Sequence, residues 1–257
     1  MKYVLITGAT INTGVAIVEK FASEGKNVVF TGRNAEKVAE AEKSYRAKFP
    51  EVDIIGYAVD SLVDERTVDE DGVDGLFAFL DEKGVFIETL VLNAADQGLG
   101  QKIFENPITD FMKVLNTNVV WNYCLCEHAA ARMKEQGGGS IVFINSNTAY
   151  RAIPDRVAYV ASKGGQLGLM RALAIDLGQY NIRVNAVLPG MIRTDRWEKN
   201  PDFYATVPSR YTPIGDVADG ADIADAVWYF AECARNTTGA ELVVDGGNTV
   251  QLYPIIK

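Results

Sequence analysis

The residues best suited to chemistry lie in one short run, Tyr159-Val160-Ala161-Ser162-Lys163. On a helix, Tyr159 and Lys163 stand one turn apart and share a face. A cation held there favours the phenolate and lowers the phenol's pKa from about 10 toward working pH. A tyrosine tuned in this way can give a proton to a carbonyl oxygen or take one back. Ser146 falls earlier, at a strand end, from where its hydroxyl could bond the same oxygen. Asn118 sits inside a long helical stretch, where a buried polar side chain needs a partner. The Tyr159–Lys163 spacing also arises by chance, and an exposed helix pair is the plain alternative.

These side chains need a frame that brings them together. Short apolar runs predict strands at Tyr3–Ile6, Val28–Phe30, Ile54–Val59, Leu90–Leu92, Ile141–Ile144, Val184–Leu188 and Leu242–Val244. Helical spacing fills the intervals at Gly14–Ser23, Ala35–Ala47, Phe111–Lys134, Val157–Gly178 and Ile223–Cys233. Such alternation predicts an α/β fold of the Rossmann type: a doubly wound, seven-stranded, mostly parallel sheet with helices on both faces. With no linker or repeat in view, residues 1–257 are expected to form one domain. A proline- and aromatic-rich stretch at about 191–216 interrupts the alternation and is expected to be a lid.

The polar signals cluster just past the predicted strands. Gly8, Arg33, Asp60, Asn93, Ser146 and Pro189-Gly190 follow the first six strands in order. Open α/β sheets bind ligands outside these carboxyl ends. The first turn, Thr7-Gly8-Ala9-Thr10-Ile11-Asn12-Thr13-Gly14, has a glycine where a backbone must approach a phosphate closely, followed by a helix N-terminus. An ordinary strand-to-helix turn would read much the same.

Composition narrows the function classes. A formal net charge of −9 argues against a nucleic-acid binder, which needs a basic footprint, and against a surface resting on anionic lipid. No apolar stretch has the length of a membrane span, and the start has no secretory pattern. Three cysteines, Cys124, Cys126 and Cys233, suggest no disulfide framework, so a cytoplasmic setting is expected. The lone His128 shares its helix with two cysteines in no metal-binding spacing, and no metal is expected. Arg151, Arg193 and Arg196 flank the presumed pocket and are read as solvated or, alternatively, as anchors for a substrate carboxylate or phosphate. Trp197, Phe203 and Tyr204 either wall a pocket or pack the lid. The acidic run Asp64, Glu65, Asp69, Glu70, Asp71 and Asp74 reads as a solvated helix or loop.

Taken together, these motifs resemble the short-chain dehydrogenase/reductase family over essentially the whole chain. Thr7-Gly8 and Gly14 resemble its glycine turn, and Asn93-Ala94-Ala95 its Asn-Asn-Ala-Gly segment. Asn118, Ser146, Tyr159 and Lys163 match its catalytic four in type, order and spacing. Ile182-Arg183-Val184-Asn185, Pro189-Gly190-Met191-Ile192-Arg193-Thr194 and Thr238-Gly239 through Asp245-Gly246-Gly247 match later segments. There are two departures: Asn12 stands where glycine is usual, and Ala95-Asp96 where Ala-Gly is.

The resemblance implies hydride exchange between a nicotinamide and a small-molecule carbonyl or alcohol, the cofactor supplying the redox chemistry. Tyr159 would be the acid and base. Lys163 would lower its pKa and hold the ribose, Ser146 would fix the substrate oxygen, and Asn118 would hold a relay water. The cofactor would lie along Gly8, Thr10, Ile11, Asn12, Thr13, Gly14, Arg33, Asn34, Asp60, Ser61, Asn93, Ala94, Pro189, Gly190, Ile192 and Thr194, as well as Tyr159 and Lys163. NADP(H) is the expected cofactor, with NAD(H) as the alternative. No acid stands between Thr31 and Asn34 to repel a 2′-phosphate, Arg33 offers a fork of donors, and Gly32 leaves room. A homotetramer or homodimer is the expected assembly. The rival readings are a catalytically idle NADP(H)-binding regulator, a 3-oxoacyl carrier-protein reductase as a specific substrate assignment, and a sugar-nucleotide epimerase.

Overall fold

The computed structural model describes residues 1–60, 70–194, 197, 199 and 201–254. Seven strands form one sheet in the order β3-β2-β1-β4-β5-β6-β7, and every neighbouring pair is parallel. They are β1 (Lys2–Ile6), β2 (Asn27–Gly32), β3 (Ile54–Ala58), β4 (Phe86–Leu92), β5 (Gly139–Ile144), β6 (Ile182–Pro189) and β7 (Glu241–Val244). The order reverses between β1 and β4, and that crevice is where sheets of this kind take ligands.

The strands are apolar on both sides because both faces are covered. Leu5 points into one core with Leu76, Phe77, Trp121, Leu125, Leu167 and Met170. Val4 and Ile6 point into the other with Ile17, Phe21, Val38, Tyr45, Ile223 and Val227. The first core is closed by α3 (Glu70–Glu82), α5 (Trp121–Glu135) and α6 (Val157–Gly178); the second by α1 (Asn12–Ser23), α2 (Ala35–Lys48) and a helix at Gly220–Trp228.

Two expected helices are interrupted. Where one helix is predicted over Phe111–Lys134, α4 (Ile108–Leu115) and α5 are joined by a π turn at Asn116–Val120. The wider turn brings Asn118 fully inside, where its amide meets the Asp96 backbone and Ser162. Near the carboxyl end, the stretch predicted at Ile223–Cys233 divides into the helix Gly220–Trp228 and a second π turn, Tyr229–Cys233. The Arg183 guanidinium takes the carbonyls of Phe230, Ala231 and Ala234 there. The remaining helix, α7 (Pro201–Tyr211), lies within the stretch expected to be a lid; Gly220–Trp228 is therefore α8. Part of the acidic run forms the start of α3; Asp64, Glu65 and Asp69 lie outside the described residues, as do Ser61 and Arg196, and so do the side chains of Phe203 and Tyr204. Among the described residues, no helix is long and apolar enough to cross a membrane.

Candidate active site

Helix α6 carries Tyr159, Ser162, Lys163 and Gln166 at positions that share a face. Ser146 reaches Tyr159 from the loop after β5. Its backbone is extended, and its hydroxyl accepts from Thr148 N at 3.2 Å, opening a short 3-10 turn. A hydrogen bond from Ser146 favours the charged form of the Tyr159 phenol, as does the Arg156 guanidinium 5.9 Å from the ring. Burial outweighs both and holds the phenol above its usual range. The sequence argument expects a lowered value from Lys163, and the difference has a physical cause. Lys163 is itself buried, only 2% exposed, and desolvation brings its pKa down to about 7. A lysine that is half neutral near pH 7 exerts only part of a full charge.

The Lys163 Nζ lies 5.6 Å from the Tyr159 ring centre. It donates to the Ile144 carbonyl at 2.9 Å and to Gln166 Oε1 at 3.0 Å. Asn118 does not touch Lys163. Its side chain accepts from Asp96 N at 2.8 Å and donates to Asp96 O at 2.8 Å and Ser162 Oγ at 2.9 Å. The Asn118 carbonyl accepts from Gln166 Nε2 at 2.6 Å and Asn122 Nδ2 at 2.9 Å. Sequence reasoning passed over Gln166, Asn145, Ser162 and Arg156. A polar residue one further turn along the Tyr159–Lys163 face was the signal available for Gln166.

The glycine turn is held from β4. Gly8 has a φ of 65°, and a Cβ there would stand 2.9 Å from Ala94 Cα. At Gly14 a Cβ would meet Gly8 O at 2.5 Å and Ala9 Cα at 2.6 Å, so the start of α1 packs directly onto the turn. Asn93 Nδ2 donates to the carbonyls of Thr7 at 3.0 Å and Gly8 at 2.9 Å, and the backbone amides of Asn93 and Ala94 both donate to Thr7 Oγ1 at 3.0 Å. Asn93 and Ala94 thus act in this structure by shaping the turn. Asn12 adopts a φ of 50°, the left-handed region that asparagine tolerates better than most residues.

A family profile described as Enoyl-(Acyl carrier protein) reductase matches residues 8–249. The chain is a short-chain dehydrogenase/reductase. It is 34% identical over 248 residues to a 3alpha-hydroxysteroid dehydrogenase of Mediterraneibacter gnavus, covering 95% of this chain and 96% of that one. It is 33% identical over 255 residues to an NADP-dependent (R)-specific alcohol dehydrogenase of Lentilactobacillus kefiri, covering 97% of each. L-sorbose reductase from Gluconobacter frateurii, solved as a complex with NADPH and L-sorbose, superimposes with a TM-score of 0.89 at 27% identity, over 98% of this chain and 97% of that one.

Around this dehydrogenase/reductase centre the other sequence candidates divide. Arg33 and Asn34 follow β2 and are exposed, with Asn34 Oδ1 capping α2 by accepting from Lys37 N at 2.9 Å. The open side of Gly32 is filled: a Cβ there would meet Thr10 Cγ2 at 2.7 Å and Val38 Cγ2 at 2.9 Å. The room expected at Gly32 is therefore taken by Thr10 and Val38. Asp60 is half-buried beyond the end of β3. Pro189 closes β6, Gly190 N donates to Val244 O at 3.0 Å, and Ile192 bridges to Ala218. Arg193 pairs with Asp216 at 2.6 Å, and Arg151 holds the carbonyls of Asn248 and Gln251, so both arginines anchor the protein's own segments. A cavity of about 1010 Å³ is lined by Asn12, Thr13, Val15 and Ala16 of α1 on one side and by Thr194, Trp197 and Ala205 on the other. Tyr159, Ser146 and Lys163 do not line it; it lies between α1 and the segments that carry α7 and the start of α8.

Proposed function

We propose that this chain is an NADP(H)-dependent oxidoreductase that interconverts a ketone or aldehyde and an alcohol, with Tyr159 as the acid and base. The observation that carries the reading is Tyr159 hydrogen-bonded with Ser146 beside the buried Lys163, all at the carboxyl edge of the sheet. Two hydroxyls converging there can bond one carbonyl oxygen. Ser146 holds it, and Tyr159 gives it a proton in reduction or takes one in oxidation.

The residues at the glycine turn fit a dinucleotide. No side chain caps the start of α1, and its first turn carries no acid, so its N–H groups suit a pyrophosphate. Gly8, Thr10, Ile11, Asn12, Thr13 and Gly14 would hold that group, with Asp60 toward the adenine and Pro189, Gly190, Ile192 and Thr194 beside the nicotinamide. When bound, the nicotinamide supplies and accepts the hydride. In its charged form Lys163 has two of its three N–H groups committed to Ile144 and Gln166, which leaves one for a ribose hydroxyl. Exposed Arg33 supports the 2′-phosphate preference, as does the NADP dependence named for the Lentilactobacillus relative; NAD(H) is the alternative. Residues 191–216 would close over a small-molecule substrate. Self-association as a tetramer or dimer is proposed through α4–α6, where Ile108, Met112, Tyr123, Val157 and Ile175 are exposed.

The test is a panel of ketones, aldehydes and alcohols followed by nicotinamide absorbance with NADPH, NADP⁺, NADH and NAD⁺. Turnover of at least one carbonyl–alcohol pair is expected, with higher kcat/KM for the phosphorylated cofactor. Cofactor binding without turnover anywhere in the panel would favour the idle regulator.

A further inference from the structure

Gln166 has no role in the reading above, yet it is among the most deeply placed polar side chains near Tyr159, with 1% of its surface exposed. Its amide joins three elements. Oε1 accepts from Lys163 Nζ at 3.0 Å and from Asn145 Nδ2 at 3.1 Å; Nε2 donates to the Asn118 carbonyl at 2.6 Å. Asn145 also donates to the Lys163 carbonyl at 2.9 Å, which fixes the backbone of the same lysine. A buried amide is costly unless its atoms are paired, so this one is stable only in an orientation that presents an oxygen to the ammonium. An apolar side chain would pack in the same helix–sheet gap without that demand, so general packing does not account for the amide.

We propose that Gln166 is a positioning residue for Lys163, a fixed link that holds the lysine head between β5 and the π turn, in place to serve Tyr159. This rests on the reading of Tyr159 and Lys163 as acid–base machinery. The link is neutral. From β5 the lysine meets the Ile144 carbonyl, with Asn145 alongside; from the π turn and α5 the network contains Asn118 and Asn122. Asp96 joins through its backbone while its carboxylate accepts from Gly98 N. The titratable neighbours are Tyr159 on α6 and, further out, Arg156 just before it. No carboxylate touches the lysine among the described residues, so its charge is sensitive to the one acceptor that a substitution can change.

The link also has a direction. Its oxygen faces the donor Lys163 and its N–H faces the acceptor Asn118. A proton cannot pass along it without converting the amide to its imidic form, so the link orients Lys163 and does not drain protons toward Asn118.

The experiment is an NMR titration of the Lys163 side chain, labelled at Cε and assigned by loss of its signal in Lys163→Arg. Wild type, Gln166→Glu and Gln166→Leu are compared, with thermal melts as a folding check. In the wild type the titration midpoint is expected near 7. Gln166→Glu keeps the size and sets a carboxylate at hydrogen-bond distance from the ammonium, while its second oxygen gives up the donor to the Asn118 carbonyl; with the carboxylate paired to the lysine, the midpoint is expected to rise by at least about one pH unit. Gln166→Leu removes the acceptor and is expected to lower it. In turnover assays of carbonyl reduction the basic limb of kcat should move upward in step in the glutamate variant, while KM for the carbonyl stays within about twofold of wild type. Unmoved midpoints in a folded glutamate variant overturn the proposal; if the leucine variant does not fold, the glutamate variant alone decides. The titration needs no turnover, so a shifted lysine in a protein that turns over nothing would refute the enzymatic reading and leave the link standing.

Discussion

Replacing Asn12 separates backbone strain from side-chain contact at the glycine turn. Asn12 opens α1 with a φ of 50°, and its side chain is exposed at the rim of the cavity. An exposed side chain has little packing to lose, so the backbone term decides the outcome. A residue with an ordinary Cβ in the left-handed region costs about 1–2 kcal/mol, whereas asparagine is better tolerated and glycine is free of the penalty. Asn12→Gly should therefore change stability by no more than about 0.5 kcal/mol, because relief of strain is offset by the greater freedom of the unfolded glycine. Asn12→Ala should lose about 1 kcal/mol and Asn12→Val more, since a branched side chain resists this conformation further. Urea unfolding supplies the stabilities, and NADPH titration by fluorescence supplies the affinities. The glycine variant should bind within about threefold of wild type, and the alanine variant should fall about five- to tenfold if it is the strained turn that relaxes. An alanine variant as stable and as tight-binding as wild type would refute the backbone argument. So would a hundredfold loss in the glycine variant, about 2.7 kcal/mol, which would assign the side chain a direct contact.

Three further outcomes follow from the site. Tyr159→Phe should abolish most turnover and leave NADPH affinity nearly intact, because only the phenolic hydroxyl is removed; parallel kinetics and binding titrations check this, and near-normal turnover would refute the assigned acid. Arg33→Ala should weaken NADPH by about 1.5–3 kcal/mol, as for a lost charged hydrogen-bond partner, with little effect on NADH; equal losses in kcat/KM for the two would remove Arg33 from phosphate recognition. The buried lysine predicts a pH dependence of stability. Its pKa is about 7 folded against about 10.5 unfolded, so between these values the unfolded chain binds the extra proton and the native state gains stability as pH rises. Below 7 both states are protonated, and the burial penalty is fully present. The stability of wild type relative to Lys163→Met should therefore increase from pH 6 to pH 9.5 in denaturant unfolding, and a constant difference would show that Lys163 is not desolvated in the native protein.

The repeating pattern of apolar strands and amphipathic helices was legible because it reflects burial on both faces of a sheet, and all seven strands stand within a few residues of their predicted positions. Tyr159, Ser146 and Lys163 were legible as a group because helix spacing and strand-end position are local properties. The interruption at Asn116–Val120 was not, since a π turn depends on the Asp96 backbone and Ser162 drawing Asn118 inward across the fold. Arg151 and Arg193 illustrate the same limit. A surface arginine near a pocket reads as solvated, or alternatively as a ligand anchor, until the acceptors it reaches, on Asn248, Gln251 and Asp216, are known. The direction of the Tyr159 pKa also required the structure, because burial is a sum over neighbours that spacing alone does not give.

The bracket that Asn93 places on the glycine turn has a consequence for how the chain is made. Residues 7 and 8 leave the ribosome early, but the amide that holds their carbonyls comes 86 and 85 residues later. At about 5–20 residues per second that interval is roughly 4–17 s. Throughout it, the turn lacks the side chain that ties it to β4. A nascent chain stopped before Asn93 should therefore have β1, α1 and β2 available but no finished anion cradle. With the turn as the proposed nucleotide cradle, capture would thereby be postponed until the first half of the sheet has been crossed and the fourth strand has docked against the first.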